Sequence, residues 1–207
     1  MKKIRYRISN VKLKINEDWT ALPGKVEGLC GLSKGSLTLG EITILKESID
    51  ARNKADIHRV YTLDFEYSGL LRGKGQKRAT PAPETVEPVV IKGEEPLEYR
   101  PVVVGFGPCG IFSALYLAEA GYAPIVLERG TAMEHRVTDV EAFWQSGLLN
   151  PESNVLFGEG GAGTFSDGKL TTGTKDPRIR QVLQAFVDAG APEDILYKQK
   201  PHIGTDV

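Results

Sequence analysis

The sequence predicts an α/β chain in two parts: a small α+β domain of β-α-β-β order, then the start of a parallel β-α-β domain. Three observations predict it. Net charge changes sign along the chain: residues 1–80 carry 16 Lys/Arg against 9 Asp/Glu, and residues 81–207 carry 10 against 18. A Pro- and Glu-rich stretch, "RATPAPETVEPVVIKGEEPLEY" (Arg78–Tyr99), sits at the change. From Val102 to Leu127 a β-branched run, a glycine turn, a helical stretch and a second apolar run succeed one another. The expected division is 1–78 for the small basic domain, 79–98 for the linker and 99–207 for the second domain.

In the first part, Ile4, Tyr6 and Ile8 alternate, and Val11, Leu13 and Ile15 alternate in the opposite phase. Side chains in a strand repeat every two residues, so the slip at Ser9–Asn10 predicts a bulge. Leu22, Val26, Leu29 and Cys30 follow helical spacing. Strands are expected over Ile42–Ile49 and His58–Tyr67, the latter with Tyr61, Leu63, Phe65 and Tyr67 on one face. One helix against an antiparallel sheet accounts for this order.

Pro81, Pro83, Pro88 and Pro96 fix φ and remove donors, so the stretch between the parts reads as a linker. Beyond it, helices are expected at about 108–120, in "TDVEAFWQSG" and in "DPRIRQVLQAFVDAG". Thr138 and Glu141 have capping-box spacing, with Gly147 as a stop. Asp176 and Pro177 read as N-cap and first helical position. Ile179, Val182, Leu183, Phe186 and Val187 form one apolar stripe, and Gly190 ends it.

Composition excludes several classes. No apolar run approaches bilayer-spanning length, and "MKKIRYRISN" has no apolar region behind it. Cys30 and Cys109 have neither metal-ligand nor disulfide-framework spacing, and His58, His135 and His202 do not pair at ligand spacing. A cytoplasmic setting is expected, with no membrane and no metal. The basic first part carries no nucleic-acid motif, so nucleic acid is not an expected partner. An alternative keeps Lys46, Arg52, Lys54 and Arg59 as a surface for a partner protein or nucleic acid.

Gly105, Gly107 and Gly110 give G-x-G-x-x-G after an apolar strand and before a helix, the context in which that pattern carries meaning. Gly105 permits a tight turn, Gly107 lets a pyrophosphate approach the backbone, and Gly110 lets the helix lie close to the sheet. Pro108 suits the first helical turn, and the amides after it, Cys109 included, form an anion site. Cys109 itself reads as a small apolar residue rather than a redox group. Glu128 ends the second strand, 18 residues past Gly110, where a carboxylate can accept from ribose hydroxyls and repel a 2′-phosphate. The expected fold class is therefore a partial Rossmann-like FAD/NAD(P)-binding domain behind the α+β domain. FAD and NAD both remain open on these residues.

"SNVLFGEGGAGTFSDGKLTTG" (Ser153–Gly173) interleaves Gly158, Gly160, Gly161, Gly163, Gly168 and Gly173 with charged and hydroxyl residues. Such density lets backbone approach a ligand. Leu170 stands where a Walker A loop needs Ser or Thr.

"GFGPCGIFSALYLAEAG", "VLERG", "VEAFW", "SNVLFGEGGAGTFSDGKLTT" and "KPHIGTD", with "SIDARNKADIHRVYTLDF" in the first part, together resemble a bacterial family of FAD-dependent dehydrogenases within the glutathione-reductase-like flavoproteins. The resemblance implies FAD as the bound dinucleotide and flavin-mediated hydride transfer, with NAD(P)H as an electron donor. It implies that Gly105, Gly107, Pro108, Cys109 and Gly110 hold the pyrophosphate and Glu128 the ribose. Arg129 and Arg136 would frame the phosphates, and Gly160, Gly161, Ala162, Gly163 and Thr164 would pass beside the flavin or pyrophosphate. Amides near the flavin N1/C2 carbonyl would stabilise its reduced anion. No catalytic acid or base is identified. Members of that family continue past "KPHIGTDV", so the chain is expected to be truncated, its missing C-terminal part a required partner, and residues 1–207 alone to bind FAD weakly or not at all and to be inactive.

Overall fold

The computed structural model describes residues 3–84 and 92–203. Thr85–Ile91, within the expected linker, and Gly204–Val207, the end of "KPHIGTDV", lie outside the described residues. The chain divides into two compact units, Met1–Val86 with Leu183–Pro201, and Glu87–Val182 with His202–Val207.

The first unit is built on a four-stranded antiparallel sheet. Its strands are β1 (Ile4–Lys14), β2 (Ile42–Asp50), β3 (His58–Tyr67) and β4 (Ala79–Pro81), in spatial order β2-β3-β1-β4. Alternation dictates the pairing: Tyr6 faces Phe65, Ile8 faces Leu63 and Val11 faces Tyr61. The register shifts between Ile8 and Val11, where Asn10 takes φ 59°. This is the bulge that the phase slip predicts: one extra residue turns Val11 and Leu13 back onto the face that Tyr6 and Ile8 bury. Tyr61, Leu63 and Phe65 are fully buried. A one-residue slip of β3 would expose all three, at roughly 1.5–3 kcal/mol for each side chain, so the register is firmly set.

Helix α1 (Leu22–Cys30) covers that face with Leu22, Val26 and Cys30, all buried. Gly31 ends it in the left-handed region at φ 67°, its N–H donating to the Glu27 carbonyl. The short α2 (Lys74–Arg78) packs beside α1, and a Cβ on Gly75 would lie 2.9 Å from the Cys30 carbonyl oxygen. On its far side β2 gains one further contact. Glu47 N–H donates to Tyr197 O at 2.7 Å and Gln199 N–H to Glu47 O at 2.9 Å, a parallel bridge that ties residues 197–199 into this unit.

The second unit holds β5 (Val102–Val104), α3 (Pro108–Glu119), β6 (Ile125–Leu127), α4 (Met133–Ser146) and a 3-10 turn over Ala162–Phe165. Strands β5 and β6 pair in parallel, Val103 opposite Val126, with α3 as the connection. The last helix, α5 (Ile179–Asp188), has its stripe residues half-buried, and Asp176 Oδ1 accepts from Arg178 N–H just before it.

The predicted fold class is overturned. The larger sheet is antiparallel, and the parallel sheet among the described residues has only two strands of three residues each, so this is not a Rossmann-like FAD/NAD(P)-binding fold. The physical reason lies in the chain beyond β6. A doubly wound sheet needs several parallel strands covered on both faces. Here the chain instead enters α4 and then the glycine-rich stretch, which supplies turns rather than strands. Val102 and Val104 consequently remain 54% and 81% exposed. A second correction concerns α4, which starts at Met133 rather than Thr138. Thr138 lies inside the helix, its hydroxyl donating back to the Glu134 carbonyl instead of capping. Gly147 does end it, at φ 73°.

Candidate functional site

The candidate site is the β5–α3 turn, Gly105–Gly107, which leads from the parallel strand into the helix. Gly105 leaves the strand at φ 93°, its N–H donating to Leu127 O at 2.7 Å, which ties the turn to β6. Gly107 is the N-cap of α3, Pro108 occupies the first position, and the first intrahelical bond runs from Ile111 N–H to Gly107 O at 2.9 Å. By position, the Cys109 and Gly110 amides precede any helical acceptor and point out of the N-terminus. Gly110 is buried, and a Cβ there would overlap the Gly105 carbonyl. Its role is close approach of helix to turn. Cys109 is exposed, and both cysteines are free thiols.

Glu128 stands at the end of β6 against the same turn. Its Oε2 accepts from Phe106 N–H at 2.5 Å and its Oε1 from Gly130 N–H at 2.8 Å. Those backbone bonds, Gly130's first, hold the carboxyl below its ordinary value, against an opposing effect of burial. The group is an anion at neutral pH with lone pairs left to accept hydroxyl protons.

The glycine-rich stretch returns to this place. Gly160 N–H donates to Phe106 O at 2.9 Å, and a Cβ on Gly161 would stand 3.1 Å from Pro108 Cδ and 3.4 Å from Gly107 Cα. Gly160 and Gly161 take φ 85° and 73°. Ala162, Gly163 and Thr164 form the exposed 3-10 turn beyond them. The structure thus brings Gly105, Gly107, Pro108, Gly110, Glu128, Gly160 and Gly161 together.

The two arginines differ from each other in exposure and partners. Arg129 is exposed, pairs with Glu152 at 3.3 Å and lies over the Phe157 ring at 4.9 Å. Arg136 is fully buried, and its guanidinium is engaged by backbone. Nε donates to Asn154 O at 3.2 Å, one terminal nitrogen to Glu159 O and Gly161 O at 2.7 Å each, and the other to Val155 O at 3.2 Å. The ring of Phe165 lies 4.9 Å away. Burial lowers its pKa, opposed by the negative charge of Glu128. Sequence reading missed the partners that hold this stretch in place. Glu159 accepts from Met133 N–H at 2.7 Å at the start of α4, and the Thr131 and Ser153 hydroxyls meet at 2.9 Å. The buried "SN" pair at 153–154 was the available signal, since Asn154 Oδ1 accepts from Leu156 N–H in a local turn.

In the first unit, the surface offered as the alternative site is partly neutralised from within. Arg52 forms a two-point pair with Asp50 at 2.8 Å, and Arg59 donates to the Glu17 carbonyl. Lys46 and Lys54 are exposed. Among the described residues no group of His, Cys, Asp or Glu could hold a metal ion, and no helix is long and apolar enough to cross a membrane.

Comparison with known proteins places these units in context. Residues 5–66, from β1 to the end of β3, match a domain of unknown function, DUF8436. An uncharacterised protein of Clostridium beijerinckii is 46% identical over 204 residues, 97% of this chain. The chain spans 38% of that relative's length.

Proposed function

We propose that the second unit seats the pyrophosphate of FAD on the Gly105–Gly110 turn, as part of a longer flavin-dependent oxidoreductase. The observation that carries this reading is the placement of an ionised carboxylate, Glu128, in hydrogen-bond contact with the turn whose helix starts with outward amides. Amides at a helix N-terminus attract phosphate, and a carboxylate beside them accepts from ribose hydroxyls. Gly107 and Gly161 pack on each other, a Cβ on Gly161 standing 3.4 Å from Gly107 Cα, so the missing side chains let the glycine-rich stretch lie against the turn beside the outward amides. These features support the reading without a doubly wound domain around them. Bound FAD would supply hydride transfer, with NAD(P)H as electron donor. The chain's own residues bind and orient: Cys109 and Gly110 through their amides, Glu128 through its oxygens, Gly160 and Gly161 by flanking the turn. The free thiols fit a reducing cytoplasm, which belongs to the same reading.

The test is a titration of the chain with FAD, NAD and inorganic pyrophosphate, followed through backbone amide NMR shifts. Because the chain spans 38% of its relative's length, weak but saturable FAD binding is expected, with the largest shifts at Cys109, Gly110 and Gly161 and competition by pyrophosphate. Shifts elsewhere, or preference for NAD, would reject FAD at this turn.

A further inference from the structure

We infer that Arg136 is a positioning residue for the Gly105–Gly110 turn: its guanidinium gathers the carbonyls of residues 154–161 and so presses Gly160 and Gly161 against Phe106, Gly107 and Pro108. The inference rests on the nucleotide reading of that turn, but its geometry stands apart from it.

The donors of the Arg136 guanidinium are turned to the protein's own backbone. The residue lies fully buried, and its hydrogen bonds to Asn154, Val155, Glu159 and Gly161 all end on backbone carbonyls. A flexible glycine-rich stretch has high conformational entropy, and left-handed positions at Gly158, Gly160 and Gly161 give it many alternatives. A planar fork with several donors in fixed directions selects one of them. The fit leaves no slack: a Cβ on Gly158 would stand 2.9 Å from Arg136 Cδ, and one on Gly130 would stand 3.0 Å from Gly158 N. Glycine at 130 and 158 is thus explained by how closely Arg136 and the 128–130 turn pack on the stretch. Once the carbonyls point inward to the guanidinium, Gly160 N–H meets Phe106 O, and Phe106 N–H meets Glu128. One side chain therefore links the glycine-rich stretch, the turn and the carboxylate. A lysine would keep the charge and lose the fork, since its ammonium is a point donor.

The experiment compares the unaltered chain with Arg136→Lys and Arg136→Ala, at a temperature where the β5–β6 amide signals show the second unit folded. Without ligand, hydrogen exchange at Gly160 is expected to quicken at least tenfold in both variants, while Val103 and Ile111 stay protected. FAD affinity is expected to fall at least tenfold in both, and added ethylguanidinium to restore it in Arg136→Ala but not in Arg136→Lys. Unchanged exchange at Gly160, or unchanged FAD affinity in a folded variant, would overturn the inference. Should neither variant fold, the unaltered chain decides: FAD saturation slows exchange at Gly160 if the stretch and turn act together, and leaves it unaltered if they do not. Failure of the unaltered chain to bind FAD would reject the proposed function alone, because the ligand-free exchange result still reads the role of Arg136.

Discussion

Glu128 and Phe106 are joined across the β5–α3 turn, the carboxylate Oε2 accepting from the Phe106 amide at 2.5 Å while Oε1 accepts from Gly130 at 2.8 Å. One side chain thus fixes both the turn before α3 and the turn after β6. Substitution by glutamine puts an NH2 where one of two amide donors now points, so one donor loses its acceptor. Glu128→Gln is expected to destabilise the second unit by about 1–2 kcal/mol in urea unfolding at pH 7. The pH dependence comes from the lowered carboxyl pKa. Its stabilisation is fully present above the ordinary value of 4.5 and is lost as pH falls through the lower folded value. Unfolding monitored from pH 7 downward should show a shallower acid loss in Glu128→Gln than in the parent. Equal slopes would mean that this carboxylate is not the group responsible.

Gly110 is expected to tolerate no side chain. A Cβ there overlaps the Gly105 carbonyl, which is backbone anchored to Leu127 and cannot swing aside as a flexible side chain would. Gly110→Ala should lower the stability of the second unit by about 3 kcal/mol, the upper end of overpacking effects. Gly163→Ala is the matched comparison, since nothing lies within 4 Å of a Cβ at that position. It should stay within about 0.5 kcal/mol of the parent. Similar losses in both would count against close approach as the reason for glycine at 110.

The local features were legible where one short-range rule governs them. The phase slip in β1 shows because a buried face repeats every two residues, and the bulge at Ile8/Val11 is its consequence. The α1 stripe and the β3 face show for the same reason. The β5–α3–β6 order was readable from glycine spacing and β-branched runs. The fold class was not, because two parallel strands and a glycine turn do not determine how many strands join them. The start of α4 was misread because a Thr/Glu pair at capping spacing also occurs mid-helix, where Thr138 bonds the preceding turn. Residues 197–199 give no alternating pattern, since the Glu47 bridge uses backbone groups alone. Arg136 stands out for its charge, whereas its partners are carbonyls, which no sequence pattern marks.

Glu27 gives a test inside the first unit. Its buried side chain accepts from Leu37 N–H at 2.9 Å, satisfying a backbone donor in the loop after α1. Glu27→Ala leaves that amide buried without an acceptor, at about 1–3 kcal/mol. Chemical denaturation of the variant should show this loss, together with faster hydrogen exchange at Leu37. A loss without the exchange change would place the effect in helix propensity or packing instead.

Tyr61 is the converse case, a buried polar atom whose removal should do no harm. The side chain is fully buried on β3, between β1 and β2, and its hydroxyl makes no hydrogen bond of ordinary distance and angle, although the Glu47 side chain lies near enough to raise its pKa. Burial, and then the negative charge of Glu47, push its pKa up to about 12 from the ordinary 10.0. Tyr61→Phe removes an unsatisfied group while keeping the ring against Val11, so stability at pH 7 should be unchanged or higher by up to about 1 kcal/mol. The alkaline arm carries the stronger discrimination. A phenol whose folded pKa is raised leaves stability intact below 10.0 and drains it as pH climbs from 10.0 to about 12, because the unfolded chain ionises first. Tyr197, also raised by burial, contributes in the same direction, so the variant should retain part of the alkaline loss rather than none. Unfolding midpoints from pH 9 upward should therefore fall less steeply in Tyr61→Phe than in the parent. A stability at pH 7 lowered by about 1 kcal/mol or more, the worth of one hydrogen bond, would mean that the hydroxyl is bonded in solution and that Tyr61 is not an unsatisfied group.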